Sequence, residues 1–362
     1  MTKKERIIRM IEGKSVDRLP SDIWLSDRAA KKVTRTMGIE SDELINRLDN
    51  HFVMVYQLDN HKAWEEPNSF ELALHYGFFH FEKEKDVIFD DWGVGWDISH
   101  EGIYAVYHPL RGSDHLRSLK VPDPGDHRLL ERASQVKKKY ENEYCITGVQ
   151  DLTIFEKACA LRGFDDFLID LKVNRQFAVK LLDALTEYEV ELARQWVHFG
   201  LDLAFTGADF GTQNGLIMSL DDWKFFIQPR LQKVWDVYKS AGIPVMHHSC
   251  GKIMEVIPLL IQMGCDILNP IQHVMPPEEL KRVFGNNVIF FGGIDSQQLI
   301  PFGTPDAIEK EVIRYMKILG DGGRYIVSPD QCLLSDVPVQ NIFAIVQAIE
   351  KHGQIYLKQH QR

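Results

Sequence analysis

A chain of 362 residues with 44% apolar and 26% charged side chains has an ordinary globular composition, and its length fits one large α/β unit. A formal charge of −10 argues against nucleic acid as a partner, because no basic face offsets it. No apolar run approaches the ~20 residues of a membrane-spanning helix, and five scattered cysteines behind an amphipathic, non-signal N-terminus predict a cytoplasmic setting with reduced thiols.

In chain order, helices are expected at 3–12, 27–37 and 41–48, the last opened by Ser41 as N-cap. A strand is expected at 52–56. The aromatic and glycine-rich stretch 72–108, which contains Asp90-Asp91-Trp92-Gly93-Val94-Gly95-Trp96-Asp97, predicts antiparallel strands or loops inserted at about 70–110. From 143 onward, β-branched runs at 145–149, 203–207, 245–248, 267–270, 288–292 and 325–328 alternate with helical stretches at 174–198, 220–241, 252–263, 277–284, 305–319 and 339–351. Such alternation builds βαβ units on a parallel sheet. Adding 52–56 and one strand of the insert brings the count to about eight. The predicted fold class is therefore α/β, a (β/α)8 TIM barrel with N-terminal helices and an aromatic-rich β insert, forming a single domain over 1–362. A doubly wound sheet is the rival, but neither G-x-G-x-x-G nor a Walker sequence occurs.

In such a barrel, polar residues just past the C-terminal strand ends face the active site. Here those positions hold Gln150 and Asp151, Asp209, His248 and Cys250, Asn269 and Gln272, Asp295, and Asp330 with Cys332. Any one of them also suits a helix cap or turn; their convergence is what marks a site. His248 and Cys250, two apart at a strand end, point the same way, whereas His247 turns to the helix layer. With Cys332 they form the His, Cys, Cys ligand set of a catalytic zinc that keeps one position open. Such a zinc suits deprotonating a thiol or polarising a substrate oxygen. The plain alternative is a histidine and two thiols, each packed for its own reasons.

A series of motifs carries a further indication. They are Val16-Asp17-Arg18-Leu19-Pro20, Gly207-Ala208-Asp209-Phe210-Gly211, His248-Ser249-Cys250-Gly251, Asp266-Ile267-Leu268-Asn269-Pro270-Ile271-Gln272, Phe291-Gly292-Gly293-Ile294-Asp295, Ser328-Pro329-Asp330 and Asp336-Val337-Pro338-Val339-Gln340-Asn341. Taken together, they resemble the uroporphyrinogen decarboxylase superfamily over most of the chain. That superfamily holds the decarboxylase itself and a branch of corrinoid-dependent methyltransferases, and the resemblance leans to the latter. The decarboxylases carry an Arg-rich segment that meets a poly-carboxylate porphyrinogen; Trp24-Leu25-Ser26-Asp27-Arg28 stands here instead, with a single Arg.

The resemblance implies zinc (Zn2+) held by His248, Cys250 and Cys332. A gapless match of the distal motif, however, falls on Gln331, one residue before Cys332, and Asp330 or Asp209 remain alternative third ligands. It further implies a corrinoid (cobalamin) carried by a partner protein, and a small-molecule methyl donor or thiol acceptor. In one direction a demethylase activity passes a donor's methyl group to cobalt; in the other a thiolate takes it. Asp209, Asn269, Gln272 and Asp295 are the expected catalytic or His248-supporting groups, with Trp24, Gln150, Trp92 and Asp330 as substrate contacts. The alternatives are a metal-free carboxy-lyase of the same fold and a catalytically quiet ligand-binding barrel.

Overall fold

The computed structural model describes residues 1–354, so 355–362 of the expected 1–362 span lie outside the described residues. The strands, in chain order, are β1 (Phe52–Val55), β2 (Phe79–Glu82), β3 (Val87–Asp90), β4 (Gly95–Asp97), β5 (Tyr104–Tyr107), β6 (Cys145–Gln150), β7 (Leu203–Gly207), β8 (Val245–His248), β9 (Ile267–Ile271), β10 (Ile289–Ile294) and β11 (Tyr325–Pro329). Seven of them form one curled sheet in the order β1-β6-β7-β8-β9-β10-β11. Every pairing in that sheet is parallel.

The insert does not supply the eighth stave, contrary to the sequence expectation. Strands β2 to β5 make a separate antiparallel sheet. The gap between β11 and β1 is instead spanned by the extended stretch 20–26. On one side Ser21 and Leu25 bridge to Val327 and Leu333. On the other, the His51 amide donates to the Ser21 carbonyl at 3.1 Å, and the Asn50 side chain brackets Ile23 with bonds of 2.8 and 3.1 Å. This stretch shows no strand periodicity, and Pro20 withholds a ladder donor, so its pairing is visible only once its neighbours are in place.

Inward residues Phe52, Cys145, Val149, Leu203, Phe205, Met246, Ile267, Ile289, Phe291 and Ile326 fill the barrel. Ile7 and Met10 of the amphipathic helix Lys3–Ile11 close its lower end. The N-terminal helices were expected close to where they fall, but Ser41 is a correction: the helix Ser41–Arg47 starts after Glu40 and has no side-chain cap bond. The expected helix at 252–263 shortens to Ile257–Met263, with a proline in its first turn. The expected 220–241 helix is interrupted by a wide helical turn at Trp223–Ile227, ahead of Pro229.

Candidate metal centre at the barrel mouth

Asp209, His248 and Cys250 offer one ligand atom each, all within 4.8 Å of one another. Strand β8 delivers His248, the turn after it delivers Cys250, and the turn after neighbouring β7 delivers Asp209. The His248 Nε2 lies 3.5 Å from the Cys250 Sγ and 3.6 Å from the Asp209 Oδ1. Zinc bonds of about 2.0–2.1 Å to N or O and 2.3 Å to S imply tetrahedral edges of about 3.6 Å for N to S and 3.4 Å for N to O. The spacing and the donor chemistry therefore both fit zinc.

The surroundings hold these atoms in place. The Asn269 Oδ1 lies 2.7 Å from the His248 Nδ1, which puts the ring proton on Nδ1 and leaves the Nε2 lone pair facing the cluster. The Cys250 amide donates to the Asp209 Oδ1 at 2.7 Å, locking the two turns together. The Gly251 amide donates to the Gln272 Oε1 at 2.6 Å. Gly251 has φ +84°, and a Cβ there would stand 2.3 Å from the Gly211 carbonyl carbon, so the turns interlock only because both positions are glycine. Trp24 and Phe205 flank the imidazole, with ring centroids 6.1 and 5.8 Å away.

The other residues singled out from sequence take different places. Cys332 does not join the group: its Sγ contacts the Leu333 carbonyl at 3.9 Å, while the Gln331 Nε2 donates to the Cys250 Sγ at 3.0 Å. Asp330 is fully buried, accepting from the Ser296 amide at 2.9 Å and facing the His273 Nδ1 at 2.9 Å. Asp295 caps the following helical turn through the Gln297 and Gln298 amides at 2.8 and 3.0 Å; with His273 and Asp330 it forms a second group of possible ligands. Gln150 faces the helix layer, donating to the Glu189 carboxylate at 2.7 Å and accepting from the Tyr238 hydroxyl. Trp92 is buried edge-on against Tyr188, with centroids 4.8 Å apart. His247 faces the helix layer as expected, beside Thr206 at 3.0 Å and Trp235.

The mouth is acidic. Burial first, then the charge of Asp209, raises the Cys250 thiol well above its usual range, so the protein by itself keeps the sulfur protonated. Burial and the charges of Asp209 and Asp151 likewise keep Glu156 protonated. A divalent cation reverses the balance for Cys250. His61 lies 3.6 Å from Asp151, stacks on Trp96 and is pushed down to about 3 by burial, which leaves it neutral. Glu156 and His61 were not expected from sequence, and Gln331 stood there only as the position on which the gapless motif match falls. Glu156 lies in the first turn of the helix Phe155–Arg162, where no helix was expected from sequence. His61 lies in the loop after β1, for which no site residue was expected from sequence.

Over 192 residues the chain is 26% identical to the methylcobamide:CoM methyltransferase MtaA of Methanosarcina barkeri, covering 51% of this chain and 54% of the relative. Over 173 residues it is 24% identical to the uroporphyrinogen decarboxylase of Thermus thermophilus, covering 48% of each. The chain thus spans about half the length of the curated relatives it matches. A methyltransferase from Methanosarcina mazei shares the fold, with a TM-score of 0.70 and 17% identity over 97% of this chain and 99% of that one. Residues 86–352 match the family described as Uroporphyrinogen decarboxylase (URO-D), and the chain belongs to that family.

Proposed function

We propose that this protein is a zinc-dependent methyltransferase that moves a methyl group between a corrinoid protein and a small methylated donor or thiol. The observation that carries this reading is the convergence of Asp209, His248 and Cys250 on the barrel mouth, with the His248 Nε2 at tetrahedral edge distances from both the Cys250 sulfur and the Asp209 oxygen. Zinc bound there supplies the positive charge that favours the thiolate form of a sulfur acceptor or draws charge from a donor's leaving atom. His248 presents Nε2 because Asn269 holds its Nδ1 proton. Asp209 fixes the Cys250 backbone, and Trp24 and Phe205 keep water from the imidazole face. Likeness to a methylcobamide:CoM methyltransferase supports the same reading.

A porphyrinogen carboxy-lyase fits less well. Arg28, the single arginine of the segment 24–28, reaches out to the Ser99 carbonyl at 3.4 Å, on the surface. The mouth presents the carboxylates of Asp209 and Asp151 to a substrate whose own carboxylates need cations.

Elemental analysis of untagged protein beside His248→Ala and Cys250→Ala tests the reading, together with methyl transfer from methylcobalamin to a thiol. About one zinc per chain, lost in both variants along with transfer, is the expected result. A wild type that takes up no zinc under reducing conditions refutes it.

A further inference from the structure

We propose that the third protein ligand of this centre is Asp209 and not Cys332, so that zinc meets one nitrogen, one sulfur and one oxygen while Gln331 hydrogen-bonds the single thiolate. The inference rests on the zinc-dependent reading above and departs from the His, Cys, Cys set that the family resemblance implies.

Three observations carry it. The Asp209 Oδ1, the His248 Nε2 and the Cys250 Sγ are already at ligand spacing, and the sulfur of Cys332 is not among them. The place beside the Cys250 sulfur is taken by the Gln331 amide, 3.0 Å away, whose Oε1 in turn accepts from the Cys332 amide at 2.9 Å. The loop is also pinned on both sides of Cys332. Before it, Asp330 is bound by Ser296 and His273. After it, Leu333 pairs with stave 20–26, its amide 2.8 Å from the Trp24 carbonyl and its carbonyl 3.0 Å from the Ser26 amide. Those bonds hold the backbone of the loop in place on either side of Cys332.

Asp209, by contrast, is fixed to the same turn as Cys250 by the 2.7 Å amide bond. The swap keeps the charge, since aspartate and thiolate each contribute one negative unit. It hardens the donor set, because one sulfur in place of two donates less density and leaves a bound cation more electrophilic towards a substrate thiol.

Cobalt(II) reconstitution of the full chain tests the assignment, reading metal affinity by equilibrium dialysis and the thiolate-to-cobalt absorption band, with far-UV circular dichroism as the control for folding. Cys332→Ser is expected to match wild type in both affinity and band. Asp209→Asn keeps an acceptor for the Cys250 amide but loses the anionic ligand, and affinity should fall tenfold or more. Asp209→Cys lacks that acceptor yet should hold cobalt with a band about twice as strong, a result that a merely backbone-orienting Asp209 does not give. A halved band in Cys332→Ser, or unchanged affinity in Asp209→Asn, overturns the assignment while the zinc-dependent reading stands. Failure of wild type to bind cobalt or zinc overturns both.

Discussion

Asn269 sets the imidazole of His248 through a single contact of 2.7 Å. Replacing it with Ala frees the ring to turn and to change tautomer. Metal affinity should then drop about 10–100-fold while circular dichroism stays unchanged, as measured by competition with a chromophoric chelator. Gly251 is fixed by two demands at once, a φ of +84° and a Cβ position 2.3 Å from the Gly211 backbone. Gly251→Ala should cost on the order of 2–3 kcal/mol in urea unfolding and separate the two turns that hold Asp209 and Cys250. An unchanged unfolding midpoint contradicts the interlock.

At the scale of elements, the β insert is tied to the barrel by Glu101. Its carboxylate accepts from the Ser26 hydroxyl, and from the Ser335 amide and hydroxyl at 3.0 and 2.6 Å. Both serines belong to segments bordering the mouth, stave 20–26 and the loop after Cys332. Losing even one such charge-assisted bond, worth about 1.5 kcal/mol, raises local opening about tenfold, and the substitution removes all three, so tenfold is the lower bound. Glu101→Ala should therefore speed amide exchange in β2–β5 by at least that factor and leave β6–β11 protected. Equal exchange in both proteins rules the tie out. This tie has no sequence signature, because Glu101 lies in a loop and its partners come from two distant segments.

Across the whole molecule, burial raises the Asp22 carboxyl to about 7 and the Glu189 carboxyl to about 8, and lowers the His51 and His247 imidazoles to about 3. The two carboxyls bind protons more tightly folded than unfolded, so the stability they contribute is complete below about pH 4 and is lost as pH rises through 7 and 8. The histidines do the opposite: their contribution is complete above about pH 6.5 and is lost as pH falls towards 3. Between about pH 4 and 6.5 the two trends offset each other. Above pH 6.5 only the carboxyls titrate, and stability falls by at most about 1.4 kcal/mol per pH unit for each proton. The melting temperature should therefore be lower at pH 8.5 than at pH 6.5. Glu189→Gln, which mimics the protonated acid bound by Gln150, should flatten the fall. An equal fall in both proteins removes Glu189 as its cause.

The sequence by itself determined the alternation of strands and helices from β6 onward, and with it the barrel class, because buried parallel strands are β-branched runs set apart by amphipathic helices. It also pointed to His248 and Cys250 as a pair from their spacing of two at a strand end, although Cys250 lies in the turn past β8 and the structure brings its sulfur within 3.5 Å of the His248 ring nitrogen. Only the tertiary structure decided that stave 20–26 closes the barrel, because hydrogen bonds to β1 and β11 order that stretch and no periodicity of its own does. Only the tertiary structure, too, separated strand-end groups that face the mouth from those that do not. Gln150 and Trp92 turned to other layers, Asp295 went to a cap, Asp209 bound the Cys250 amide beside the sulfur, and Gln331 reached the sulfur itself. The physical reason is common to all of these: which atoms meet across turns from neighbouring strands depends on loop geometry, and spacing along a chain fixes direction within one strand but not distance between two.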